Sequence, residues 1–191
     1  MPLIDALRFL INTVFGLVVY TALLRFIMQW LRAPFRNPLG QATIALTDWA
    51  VKPMRRVVPG RAGYDWASLL VALIAQVLWL VALIALAAPL WNGSLVAFVL
   101  AMALLELLKA ALWIMIGAIF IQAILSWVAP DGPLAGVLNS LTFRVLAPIR
   151  RVVPPIGGSL DLSPLIAIVL AQLILMLPVA WLEGALRQLV V

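Results

Sequence analysis

PMRRVVP, from Pro53 to Pro59, and PIRRVVP, from Pro148 to Pro154, are one seven-residue string with a single letter changed, set 95 residues apart. Each copy is a basic island followed by a long apolar run, a placement that marks it as membrane-flanking. Outward from the string the match continues. Thr47 pairs with Thr142, Pro38 with Pro133, Trp30 with Trp127, Asp65 with Asp161 and Gln76 with Gln172, with only small length changes between these anchors. The chain therefore reads as a tandem duplication, with one unit over residues 1–94 and a second over 95–191.

Composition fixes the class. Of the 191 residues, 66% are hydrophobic and 10% charged, and the mean hydropathy is +1.18. A soluble globular domain is roughly half apolar and a quarter charged, so this is an integral membrane protein. The net charge of +6 sits between apolar segments and not on a soluble face. Anionic lipid headgroups are then nearer partners than nucleic acid, which is demoted. The absence of cysteine and histidine removes disulfides, thiolate metal sites, axial-histidine haem and every nucleophile–base pair built on either residue. No cofactor and no enzymatic activity are expected.

A hydrocarbon core about 30 Å thick needs about 20 apolar helical residues. Four candidates satisfy this. The first runs over 7–31 and ends in Trp30 and Arg32, residues suited to the headgroup level; it reads as an uncleaved span and not a signal peptide. The second runs over 68–90, closed by Pro89 and the turn-like Trp91, Asn92 and Gly93. The apolar stretch after Ser94 is too long for one untilted span. The repeat register places Glu106 and Lys109 at the start of the third span, 104–128, leaving 95–103 as a helical extension or an interfacial piece. The fourth runs over 164–182.

Two spans per unit make the repeats parallel, related by an axis along the membrane normal. Nine of the basic residues, Arg32, Arg36, Lys52, Arg55, Arg56, Arg61, Arg144, Arg150 and Arg151, then fall in the two inter-span loops. The positive-inside bias makes loops 32–66 and 129–163 cytoplasmic, with both termini outside. Within the second loop Leu134, Val137, Leu138, Leu141 and Val145 recur on one helix face; Leu39, Ala42, Leu46 and Trp49 do so less cleanly in the first. Each loop is expected to carry an amphipathic interfacial helix that begins beside Pro38 or Pro133 and ends before Pro53 or Pro148. The expected fold is an all-α bundle of four transmembrane helices, arranged as two parallel hairpin repeats.

With a tryptophan closing the first span, an amphipathic segment, P-x-R-R-V-V-P and an aspartate before the second span (Tyr64, Asp65; Leu160, Asp161, Leu162, Ser163, Pro164), the chain resembles the YggT family of small bacterial membrane proteins. The resemblance covers nearly the whole chain and both motif copies. It implies association with envelope and osmotic stress tolerance, potassium handling, division-gene neighbourhoods and, in plastid relatives, nucleoid distribution and cytochrome b6f haem attachment, but it names no reaction. In the first copy Trp66, Ala67 and Ser68 replace the Leu162, Ser163, Pro164 pattern, which marks the first hairpin as the less constrained one.

Several residues invite both a functional and a structural reading. Arg55, Arg56, Arg150 and Arg151, bracketed by Pro53, Pro59, Pro148 and Pro154, either fix topology by snorkelling to phosphates or present paired guanidinium forks to lipid or an acidic partner. Arg25 lies inside the first span, with Gln122 as counterpart; at its depth it is expected to snorkel to the headgroups. Gln76 and Gln172 are expected to be interhelical glue, or a polar path on the sharper reading. Asp65, Asp161 and Ser163 are expected to cap the following spans. Glu106 and Lys109 should form an ion pair at the outer interface. Ser68 with Ala72, and Ala167 with Ala171, are spaced for close helix packing.

These readings converge on a scaffold or assembly factor of the bacterial inner membrane. It would act in envelope, osmotic-stress or division homeostasis, offering its basic loops to anionic lipid and to a membrane or division protein. The alternative is a potassium or ion transport component, which four spans could form only as a homo-oligomer.

Overall fold

A computed structural model describes residues 2–61, 63–87, 93–155 and 161–188. It contains six helices: α1 (Pro2–Trp30), α2 (Pro38–Val57), α3 (Trp66–Leu86), α4 (Gly93–Val128), α5 (Pro133–Val152) and α6 (Ser163–Gln188). α1, α3, α4 and α6 are each long and apolar enough to cross a membrane. No strand occurs among the described residues. The expected turn at Pro89, Trp91 and Asn92 lies outside them; Gly93 opens α4.

α1 packs most extensively on α3. Their shared face combines Val19, Ala22, Leu23, Ile27 and Met28 with the small Ala67, Ser68, Ala72 and Ala75. Small side chains let the two backbones approach closely, so dispersion contacts replace the hydrophobic drive that lipid cannot supply. Ser68 and Ala72 are fully buried, as their spacing suggests; in the second pair Ala167 is buried and Ala171 only partly so. α4 packs against both α1 and α3, whereas α6 rests on α4 and α5 and makes no comparable contact with the first hairpin.

α4 is one helix of 36 residues, about 54 Å at 1.5 Å per residue, against a hydrocarbon core of about 30 Å. Residues 95–103 are thus a helical extension, and Leu95, Val99, Met102 and Ala103 bury one face of it. α6 departs from ideal geometry over Leu175–Val179, a π turn containing Pro178. Proline supplies no N–H, and the Ala180 amide reaches the Leu175 carbonyl five residues back, a wide turn of the kind that absorbs such a gap.

α2 and α5 are 20 residues each and lie at the same end of the molecule: the cluster around α1 and α3 also takes in Val137, Leu138 and Leu141 of α5. Both helices continue through Pro53 and Pro148 to Val57 and Val152, past the expected stop. The two prolines lie on exposed faces, where a carbonyl freed from the helix ladder can be solvated, so the helix tolerates them. Both helices end alike, with Val58 N–H donating to the Met54 carbonyl and Val153 N–H to the Ile149 carbonyl, each at 2.8 Å, and Pro59 or Pro154 follows.

The buried face of α5 includes Val137, Leu138 and Leu141 of the expected stripe, with Thr142 and Leu146; Leu134 and Val145 are exposed. For α2 the expected face is wrong. Gly40, Thr43, Thr47 and Val51 are buried, while Leu46 and Trp49 point outward. Small and hydroxyl-bearing residues meet the protein there, leaving the bulky apolar side chains for the surroundings. Asn37 caps α2, its Oδ1 accepting the Gly40 amide at 2.9 Å. A Cβ on Gly40 would lie 2.6 Å from the Phe35 carbonyl oxygen, whereas one on Gly136 of α5 meets nothing within 4 Å. Gly40→Ala should therefore cost about 1–3 kcal/mol through overpacking. Gly136→Ala should stabilise by about 0.5–1 kcal/mol as a helix-interior glycine replacement. Thermal midpoints in detergent should move in opposite directions for the two variants.

Candidate functional site

The strongest polar cluster lies where α1, α2 and α3 meet. Arg25 of α1 is only 4% exposed. Its Nη1 donates to Thr47 Oγ1 and to Asp48 Oδ1, both at 2.8 Å and both on α2. Its Nε lies 3.6 Å from Asp65 Oδ2. Asp65 in turn accepts Arg55 Nε on Oδ1 at 3.1 Å, Arg55 Nη2 on Oδ2 at 2.5 Å, and the Ser68 hydroxyl on Oδ2 at 2.6 Å. Lys52 Nζ closes the far end on Asp48 Oδ2 at 2.8 Å. Charges alternate along Lys52, Asp48, Arg25, Asp65 and Arg55, joining three cations through two carboxylates.

Arg25 does not snorkel to the headgroups. Thr47 and Asp48 meet it sideways from α2, so its guanidinium is spent on protein groups. Nor does Asp65 cap α3, since its side chain bonds none of the helix amides; two guanidinium groups outcompete them. Burial pushes the Asp65 carboxyl up, but Arg55, Ser68 and the charge of Arg25 together hold it below the usual carboxylate value. Asp48 is lowered as well, first by Lys52, against a rise from burial, and further by Arg25.

The second half keeps part of this arrangement. Arg150 places Nε and Nη2 on Asp161 Oδ2, both at 2.8 Å, and Asp161 Oδ1 accepts the Ser163 amide at 2.9 Å. Asp161 thus serves one amide at the start of α6, from the position before the cap. Ser163 does not, being the first helical residue with Leu162 at the cap position. Burial raises the Asp161 carboxyl while contacts with Ser163 and Arg150 lower it, the net direction being down. Gln122 Oε1 lies 3.0 Å from Thr142 Oγ1. This is the Arg25–Thr47 contact with donor and acceptor reversed.

The two amides of α3 and α6 are not equivalent. Gln76 is buried and Gln172 only partly so. At the opposite end of the molecule, Lys109 Nζ meets Glu106 at 2.7 Å, as its spacing predicts, and also Glu183 at 2.9 Å. Arg187 adds a contact to Glu183 at 2.6 Å. This cluster ties α4 to α6. Among the described residues no three acidic side chains gather as a metal site would require.

Compared with known proteins, the chain matches the family model described as CCB3/YggT over residues 4–86 and 101–182. The chain belongs to the CCB3/YggT family. Among curated relatives, a Vibrio alginolyticus protein from the proC 3' region is 40% identical over 165 residues, 85% of this chain and 87% of that protein. YggT of Escherichia coli K12 is 34% identical over 171 residues, covering 89% and 87%. PA0392 of Pseudomonas aeruginosa is 35% identical over 171 residues, covering 88% and 86%. None of these names states an activity, and no solved structure matches the chain.

Within this CCB3/YggT chain, the four motif arginines do not act as paired forks. Both copies lie on helices, where neighbouring residues diverge by about 100°. Arg55 and Arg150 therefore turn to the aspartates, while Arg56 and Arg151 are exposed and make no ion pair among the described residues. The first hairpin is also not the less constrained one. Ser68, which looked like a departure from the pattern, donates to Asp65, and that aspartate is 2% exposed against 29% for the Asp161 side chain. Sequence reasoning passed over Asp48. The available signal was a joint change: in the register of the Thr47–Thr142 anchor Asp48 faces Phe143, and Arg25 faces Gln122, so acid and base are replaced together.

Proposed function

We propose that the protein is a non-enzymatic scaffold or assembly factor of the bacterial inner membrane, serving envelope, osmotic-stress or division homeostasis. The observation that carries this reading is the division of labour within P-x-R-R-V-V-P. One arginine of each pair is committed to an aspartate of its own hairpin, and the other stands exposed at the same end of the molecule. The inner pair sets the geometry; the outer pair, Arg56 and Arg151, is exposed, as are Arg144, Arg61 and Arg36, and together we read them as a basic rim. The positive-inside bias places that rim in the cytoplasm, and about 1 kcal/mol per arginine near an anionic surface suits it to lipid headgroups and an acidic partner. Two matched segments, 4–86 and 101–182, support reading the chain as two related units.

The test is photocrosslinking in cells from positions 57 and 152, beside the exposed arginines. A discrete membrane-protein adduct should form and fall at least tenfold in Arg56→Ala, Arg151→Ala, with the variant's thermal midpoint unchanged. An adduct pattern identical in the variant would sink the proposal. No observation favours the ion-transport alternative: Arg25 and Gln122 are engaged by α2 and α5, and α3 and α6, which carry Gln76 and Gln172, make no comparable packing contact.

A further inference from the structure

In the first half, Phe26 and Trp66 occupy much of the space beside Trp30, leaving about 220 Å³ open, with ring centroids 6.2 Å apart for Phe26–Trp30 and 6.0 Å for Phe26–Trp66. The repeat register puts Ala123 where Phe26 stands, Leu162 where Trp66 stands and Gln122 where Arg25 stands. Each replacement is smaller. Gln122 and Ala123 line a groove of about 590 Å³ between α4 and α6, with Leu162 beside it in the chain; it is walled by Phe120, Ile124, Trp127 and Leu165 and ended by Arg150 and Asp161.

We infer that this groove binds one phospholipid whose head group carries both a phosphate and a free ammonium. The size lies within the range of about 300–1,000 Å³ typical of small-ligand clefts. Its apolar wall is exposed, Phe120 by 57%, Ile124 by 47% and Leu165 by 60%, and runs along two membrane-crossing helices, as an acyl chain would. The polar end offers both signs of charge. Arg150 spends Nε and Nη2 on a single carboxylate oxygen, and its Nη1 makes no hydrogen bond among the described residues. A phosphate would take that donor as a charge-assisted acceptor. Asp161, 29% exposed on its side chain, keeps acceptor capacity for an ammonium. Acid and base side by side leave the groove with no net charge, which matches a zwitterionic head group and not an anionic one. Trp127, 77% exposed, stands at the mouth, the depth at which an indole meets head groups.

This site is separate from the arginine rim, so loss of the crosslinked partner leaves it standing, and its own failure leaves the rim untouched. The experiment is native mass spectrometry of the full chain in detergent with phosphatidylethanolamine, phosphatidylglycerol or diacylglycerol of matched chains. Wild-type protein should retain one phosphatidylethanolamine, at least tenfold over diacylglycerol and at least threefold over phosphatidylglycerol. Ala123→Phe with Leu162→Trp, which copies the first half's aromatic filling, should cut retention about tenfold. Leu165→Trp, which narrows the groove from the exposed wall without touching the ion pair, should do the same if the double variant does not fold. Retention unchanged in a folded plugged variant, or diacylglycerol bound as well as the phospholipid, would overturn the site; equal binding of phosphatidylglycerol would overturn the head-group assignment.

Discussion

Replacing Arg25 by leucine is expected to cost about 3–5 kcal/mol of stability, the range for removing one member of a buried ion pair. The size of the side chain is not the issue, since leucine suits a membrane helix. What remains is the difficulty: Asp48 keeps only Lys52, whose side chain is 72% exposed and so contributes little. Thr47 also loses the donor that its Oγ1 accepts, and α2 loses its polar tie to α1. The repeat suggests the rescue. Arg25→Gln combined with Asp48→Phe reproduces Gln122 and Phe143, removing acid and base together, and should recover at least half of the loss. Chemical denaturation in detergent, run as a double-mutant cycle, measures both. A single-variant cost under about 1 kcal/mol would mean that the pair acts like a surface bridge, against the 4% exposure of Arg25.

Asp65→Asn should be nearly as damaging, at about 3–5 kcal/mol, because one carboxylate anchors Arg55 and Ser68 and neighbours Arg25. Asp161→Asn, acting on a more exposed pair, should cost about 1 kcal/mol. The same contrast appears on acidification. Both carboxylates are lowered in the folded protein, so each contributes stability that is fully present above the unfolded value near pH 4 and lost as pH falls through the lowered native value. Wild-type protein should lose stability below about pH 4, and Asp65→Asn should flatten that loss more than Asp161→Asn. Equal flattening by the two variants would contradict the burial difference between the sites.

The fold was legible where the physics is one-dimensional. Span number followed from apolar run length, and the loop helices from proline placement and the spacing of Val137, Leu138 and Leu141. Their ends were not: Pro53 and Pro148 look like stops in sequence, yet exposed faces tolerate them. The α2 face was misjudged because the rule seeks large apolar residues toward protein, whereas beside lipid the close-packing residues are small, as Gly40 and Thr43 are. The charged site depended on knowing who sits across from whom. Arg25 and Asp48 lie 23 residues apart, and only the paired change to Gln122 and Phe143 linked them in one dimension.

Among the described residues α6 leans chiefly on α4 and α5, with the Lys109–Glu183 contact as its far clasp. Mechanically this makes the molecule unequal to tension from its two ends. A pull on the C-terminal end would peel one helix from the outside of an otherwise closed core, rupturing first at Lys109 and then at Arg150. A pull on the N-terminal end must break the Arg25 cluster before α1 can leave. The chain is built to yield at its last helix, and the half that carries the groove would come apart while the first hairpin still holds.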